Sequence, residues 1–333
     1  MRDSISKKQE CKLLPNQRIV GRWQRNSYRI IRELGYGATG TVYLAEGRGE
    51  LVALKIASDS MSITSEVNVF RQFSKVQGPS LGPSFYEADD YVSAGGVYPF
   101  YVMEYINGQP FLPFLRQRGA EWTGILIVQL LKDLHQLHKA GWVFGDLKPE
   151  NLLVTENPNC VRWLDVGGMT IQGRAIKEYT EFFDRGYWGL GNRKAEPSYD
   201  LFSVSMLFMN RGYPSRFEKT QEKSFTRLMT KFRQKDVIRP FEPVFRRGIE
   251  GKYKDALDMR SDLIQLLHGT TFTPKVSISV KPKTNITRRE QKKIKQQQPS
   301  NPKKRRSLGV LESMLVASFI LVVYILYLFG QTM

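Results

Sequence analysis

The spacing of apolar positions changes along the chain. Between Tyr28 and Ala57 they form short strand-like runs, Y-R-I-I-R-E-L, T-V-Y-L-A-E and L-V-A-L-K-I-A, separated by glycine turns. Further on the period becomes helical. Gly124 to Lys139 (G-I-L-I-V-Q-L-L-K-D-L-H-Q-L-H-K) and Asp200 to Asn210 (D-L-F-S-V-S-M-L-F-M-N) each predict a mostly apolar helix. Strands first and helices later predict an α+β body of two lobes over residues 28–268. Residues 1–27 are polar and basic and read as a lead-in.

The pattern changes again near residue 269. Over 269–307 apolar residues nearly vanish, and Lys, Gln, Pro, Thr and Asn dominate. This composition cannot bury a core and predicts a disordered basic linker. Met314 to Phe329 then runs without a charge, and 309–329 predicts a transmembrane helix, with Glu312 as its one acid. Lys303, Lys304, Arg305 and Arg306 lie just before it and predict a cytoplasmic N-terminal side. Residues 330–333 would form a short external tail. The expected arrangement is a single-pass membrane protein, anchored at its C-terminus, with its folded body in the cytoplasm.

Charge adds to this picture. The chain of 333 residues carries a net +18, which calls for an anionic partner. Twelve Lys or Arg against Glu290 alone place about +11 of it between Lys275 and Arg306. Cys11 and Cys160 have no metal-type spacing and fit a reducing compartment. The first ten residues contain no apolar signal segment.

The candidate chemistry is phosphate transfer. Gly35, Gly37 and Gly40 lie in G-Y-G-A-T-G-T-V, with a strand following, which favours a hairpin lid over phosphates. Val52-Ala53-Leu54-Lys55 ends a strand on a lysine, which in an apolar setting needs an anionic partner. The nearest helical glutamate is Glu66. The strongest block is G-D-L-K-P-E-N, Gly145 to Asn151, followed by Asp165 in W-L-D-V-G-G. In-line phosphoryl transfer needs such a set. Asp146 would orient the attacking hydroxyl and accept its proton. Lys148 would neutralise the moving phosphoryl, and Asn151 and Asp165 would hold Mg2+, or Mn2+ in its place.

The order and spacing of these residues resemble the bacterial Hanks-type (eukaryotic-like) Ser/Thr protein kinase family. The resemblance implies a bilobal protein-kinase fold, with a small β-rich N-lobe, a larger helical C-lobe and ATP between them. It carries Gly35, Gly37 and Gly40 to the phosphate lid and Lys55 with Glu66 to the ion pair on the α/β-phosphates. Val42, Ala53 and Leu153 map to the adenine walls, and Met103, Glu104 and Ile106 to the gatekeeper and hinge. Lys148 after the catalytic aspartate is similar to Ser/Thr rather than Tyr kinases. The layout with a basic linker and terminal anchor resembles membrane-anchored kinases of spore-forming bacilli.

Several positions depart from the family pattern. Phe144-Gly145-Asp146 stands for H-R-D, Asp165-Val166-Gly167 for D-F-G, and Gly186 to Gly191 for G-Y-x-A-P-E, with Asp184 where the family has a threonine. Without the arginine, switching by activation-loop phosphorylation is not expected. Thr170 and Thr180 are candidate phosphoacceptors in that segment. Two other readings are a small-molecule kinase of similar fold and a catalytically weak scaffold at the membrane. His135 and His138 share a helix but have no further ligands placed to hold a metal.

Linker partners follow from charge. Arg288, Arg289, Lys292, Lys293 and Lys295, with Lys303 to Arg306, are candidates for anionic lipid or for duplex DNA held without sequence preference, since no aromatic residue there offers base stacking. A homodimer through the membrane helix is compatible with the sequence, although no small-x-x-x-small pattern supports it. Protein substrates are expected but not identified.

Overall fold

The computed structural model describes residues 11–269 apart from 38, 58 and 74–81. The linker, membrane-helix and external-tail expectations lie outside these residues. Among the described residues no helix is long and apolar enough to cross a membrane.

The N-terminal lobe is an antiparallel sheet of β1 (Arg18–Val20), β2 (Ser27–Gly37), β3 (Gly40–Gly47), β4 (Glu50–Ile56), β5 (Phe85–Ser93) and β6 (Gly96–Glu104), in the order β1-β2-β3-β4-β6-β5. Helix α1 (Ser60–Phe73) covers one face, packing Val67 and Phe70 against Tyr101. Alternation along β4 sorts its side chains. Val52, Leu54 and Ile56 join the outer core with Tyr28, Ile30 and Phe100, while Ala53 and Lys55 face the interlobe side. The folded body begins before Tyr28. Leu13 and Ile19 are buried in the same outer core, and Gly21 bridges to Tyr91. Strand β1 is too short for alternation to reveal it.

The C-terminal lobe begins with β7 (Gln109–Pro110) and α2 (Phe111–Arg116), then the long α3 (Ala120–Lys139). Short pairs follow: β8 (Trp142–Val143), β9 (Leu152–Val154), β10 (Val161–Trp163) and β11 (Thr170–Ile171). Helices α4 (Arg185–Trp188), α5 (Pro197–Gly212), α6 (Ser224–Arg233), α7 (Glu242–Ile249) and α8 (Ala256–Gly269) complete it. Every residue of α5 from Tyr199 to Asn210 is buried, as expected for a helix enclosed on all sides. The predicted helices are thus α3 and α5, and the lobes form the bilobal fold.

Candidate active site

Lys55 is 5% exposed, at the end of β4, and Glu66 is 5% exposed on α1. The Lys55 ammonium donates to both Glu66 oxygens, at 2.8 and 2.7 Å. Two buried opposite charges at this distance sustain each other, whereas either one alone would be costly. Tyr101 of β6 donates its hydroxyl to Glu66 Oε2 at 2.8 Å. Burial, then the Glu66 and Asp165 charges, push the Tyr101 phenol well above its ordinary range, so it remains a donor. Thr39 Oγ1, at the tip of the glycine hairpin, accepts the third Lys55 proton at 2.7 Å. Strands β2 and β3 flank that tip, and Gly40 has a φ of +137°, where an added Cβ would run into the Ile56 carbonyl oxygen, a place no side chain fits.

The catalytic-loop residues come together below. Lys148 Nζ lies 2.5 Å from Asp146 Oδ2 and donates to Thr180 Oγ1 at 3.2 Å. Thr180 donates its hydroxyl to Asp146 Oδ1 at 3.0 Å. The Asn151 amide nitrogen donates to the Asp146 carbonyl at 2.9 Å, which leaves its amide oxygen as an acceptor. Asp165 Oδ1 accepts the Gly167 amide at 2.8 Å. An amide oxygen and a carboxylate on one wall suit a hard divalent cation such as magnesium, which prefers oxygen ligands.

A cavity of about 670 Å³ joins these parts. Gly35, Gly37, Gly40 and Val42 line its roof, Ala53, Met103, Glu104, Ile106 and Leu153 its back, and Lys55, Asp146, Lys148, Asn151 and Asp165 its deep end. Glu66 reaches it through Lys55. Glu104 turns its carboxylate away, to Arg162 at 2.9 Å and the Ser84 amide at 3.0 Å. The sequence-predicted cleft residues therefore converge. The nine linker residues from Arg288 to Arg306 lie outside the described residues.

The hydroxyls of both phosphoacceptor candidates are hydrogen-bonded within the fold. Thr170 is 1% exposed, with its hydroxyl on the Gly168 carbonyl at 3.1 Å. Thr180 is engaged with Asp146. The Thr170 hydroxyl is enclosed, whereas Thr180 is only half-buried. Asp184 is fully buried and caps α4, accepting the Gly186 and Tyr187 amides at 2.9 and 2.8 Å. It also takes Arg193 Nε at 2.8 Å and the Tyr199 hydroxyl at 3.0 Å.

Asp200 was not singled out in the sequence. It is fully buried on α5 and accepts the Phe144 and Gly145 amides at 2.8 and 3.0 Å, with His138 Nε2 at 2.9 Å. His138 is thereby assigned to a structural carboxylate. An aspartate inside an otherwise apolar helix was the available signal, since such a charge persists only with partners.

A family model for the protein kinase domain matches residues 28–305. The chain is 43% identical over 325 residues to the serine/threonine-protein kinase YabT of Bacillus subtilis, covering 96% of each chain. It is 32% identical over 145 residues to the serine/threonine-protein kinase cek1 of Schizosaccharomyces pombe, spanning 40% of this chain and 10% of that one. It is 30% identical over 207 residues to the probable serine/threonine-protein kinase pknA2 of Bifidobacterium longum, 58% of this chain and 26% of that one. With the lobes, the interlobe cavity and the Lys148 that follows Asp146, these matches show that the chain belongs to the protein kinase family, as an ATP-dependent Ser/Thr kinase of the bacterial Hanks type.

Proposed function

We propose that the protein is a membrane-anchored Ser/Thr kinase whose activity is set at the membrane and by DNA on its basic linker, rather than by activation-loop phosphorylation. The observation that carries the catalytic part is the Asp146–Lys148–Thr180 triangle opening into the same cavity as Lys55.

In this reading the glycine hairpin closes over ATP, and Lys55, held by Glu66, binds the α/β-phosphate oxygens. The substrate hydroxyl oxygen attacks the γ-phosphorus in line. The bond from that phosphorus to the β–γ bridging oxygen breaks, and ADP leaves. Asp146 accepts the hydroxyl proton, and Lys148 offsets charge on the phosphoryl oxygens. Thr180 fixes both side chains in register. Asn151 and Asp165 would hold a magnesium ion, or manganese, which supplies positive charge on the phosphates when bound.

Two observations support control elsewhere. Gly145 stands where the family has an arginine, so no guanidinium waits there for a loop phosphate. Asp184 already supplies a carboxylate within the activation segment, satisfied by four donors. The anchor and linker rest on the sequence alone: the apolar run 314–329 and the +11 charge before it.

The deciding experiment is phosphorylation of a protein acceptor by the full chain in lipid nanodiscs, with and without duplex DNA, beside Asp146→Asn. Activity should vanish in the variant and rise with DNA at low salt. Unchanged activity in Asp146→Asn would sink the catalytic assignment, and indifference to DNA at low salt would sink the regulatory one.

A further inference from the structure

Most of the positive charge outside the linker is not spread evenly. Between Arg216 and Lys235 the chain carries seven Lys or Arg against Glu218 and Glu222. Four of the cations, Lys223, Arg227, Lys231 and Lys235, recur every fourth residue along and beside α6, which places them on one helix face. Ring contacts bear this out for three of them. Arg227 and Lys231 both stand over Phe217, at 5.6 and 4.7 Å, and Lys231 and Lys235 both stand over Tyr213, at 5.2 and 4.9 Å. The other face of α6 buries Leu228, Met229 and Phe232.

Like charges four residues apart on a helix repel one another. Carboxylates do little to relieve this stripe. Glu222 lies 3.9 Å from Arg227, and no other described ion pair reaches it. Cations resting on aromatic faces are held in place while their charge stays available. The stripe also leads to the cleft. Arg216, next to Phe217, places its guanidinium 2.5 Å from Glu150. Glu150 lies four residues past Asp146 and lines the cavity. Arg216 therefore offsets a carboxylate that would otherwise repel an acidic chain entering beside Asp146.

We propose that this stripe docks an acidic segment of the protein substrate, so that the kinase selects hydroxyls flanked by Asp and Glu. The inference rests on the Ser/Thr kinase reading and adds the chemistry of the substrate. Continuity with the catalytic loop favours a substrate over an unrelated polyanion.

The test uses the full chain in nanodiscs and fluorescent peptides in which Ala replaces the acceptor Ser, one flanked by Asp and Glu and one by Ser and Gly. The acidic peptide should bind at least about tenfold more tightly, an advantage that shrinks with salt. Lys231→Glu/Lys235→Glu should remove that advantage and leave the neutral peptide unchanged. Lys231→Gln/Lys235→Gln, with thermal melts, guards against a folding defect. With the acceptor Ser restored, the charge-reversed chain should show a raised KM for the acidic peptide at unchanged kcat. Equal binding of the two peptides overturns the proposal. So does an acidic preference that survives both substitutions, or a loss confined to duplex DNA binding, which would make the stripe a nucleic-acid surface. Peptide binding needs no phosphoryl transfer, so a chain that binds the acidic peptide but transfers nothing would leave docking intact and remove the catalytic reading.

Discussion

The Asp200 carboxylate accepts the backbone N–H of Gly145 at 3.0 Å, which fixes the residue immediately before Asp146. The same group takes the Phe144 amide and His138, so one side chain on the central helix sets the height of the whole catalytic loop. Asp200→Asn keeps the size but turns an acceptor oxygen into a donor facing other donors. Leaving buried donors unpaired costs about 1–3 kcal/mol, and misplacing a catalytic group by an ångström costs roughly a hundredfold. The expected result is a lowered Tm and a kcat reduced by about that factor, read by melting and steady-state assay. A variant with normal kcat would show that the loop holds its position without Asp200.

Much of this arrangement was legible in the sequence, because the residues involved are close together and sharply typed. The G-D-L-K-P-E-N block, Lys55 at a strand end and the two long helices all report local periods or fixed short spacings. The pairing of Lys55 with Glu66 was harder, being a contact between a strand and the next helix, yet alternation in β4 points Lys55 to the cleft and α1 faces it. What the sequence did not disclose are contacts made at a distance. Thr180 lies 34 residues from Asp146 and Asp200 lies 55 from Gly145. Tyr101 meets Glu66 from across the sheet, and β1 is only three residues long. Local pattern carries no signal for such pairs until the chain is folded.

Thr180 shares its hydroxyl between Asp146 and Lys148. Thr180→Ala removes the bridge and should lower kcat roughly tenfold or more, with KM for ATP little changed because Lys55 and Glu66 are untouched. Thr180→Ser should retain most of the activity. Thr180→Glu sets a second carboxylate against Asp146 and should be inactive. Equal kcat for the Ala and Ser variants would remove the bridging role.

Gly145 has a φ of +85°, and a Cβ built there falls 2.6 Å from the Gly168 carbonyl oxygen. Glycine is required by both the backbone and the space. Gly145→Ala pays about 1–2 kcal/mol for the left-handed conformation, before the clash is counted. Its Tm should fall by several degrees with loss of kcat. Gly145→Arg, which recreates the family residue, should be worse and should not confer dependence on loop phosphorylation. A stable, phosphorylation-responsive Gly145→Arg protein would refute the view that the backbone excludes side chains here.

Asp133 lies on α3, 8% exposed, and burial pushes its carboxyl from 3.8 up to about 6, with Lys132 and Arg162 offsetting part of the effect. The folded chain keeps this proton at a pH where the unfolded chain has lost it. Stability therefore falls as pH rises from near 4 through 6, and the penalty is full above that window. A shift of this size corresponds to about 1–3 kcal/mol after allowance for residual solvent. Asp133→Asn carries no charge to bury. It should be more stable than the parent at pH 8 and should lose that advantage near pH 4, in urea unfolding followed by tryptophan fluorescence. An advantage independent of pH would show that folding does not shift the Asp133 carboxyl, and a disadvantage at pH 8 would show that its charge is held by partners stronger than Lys132 and Arg162.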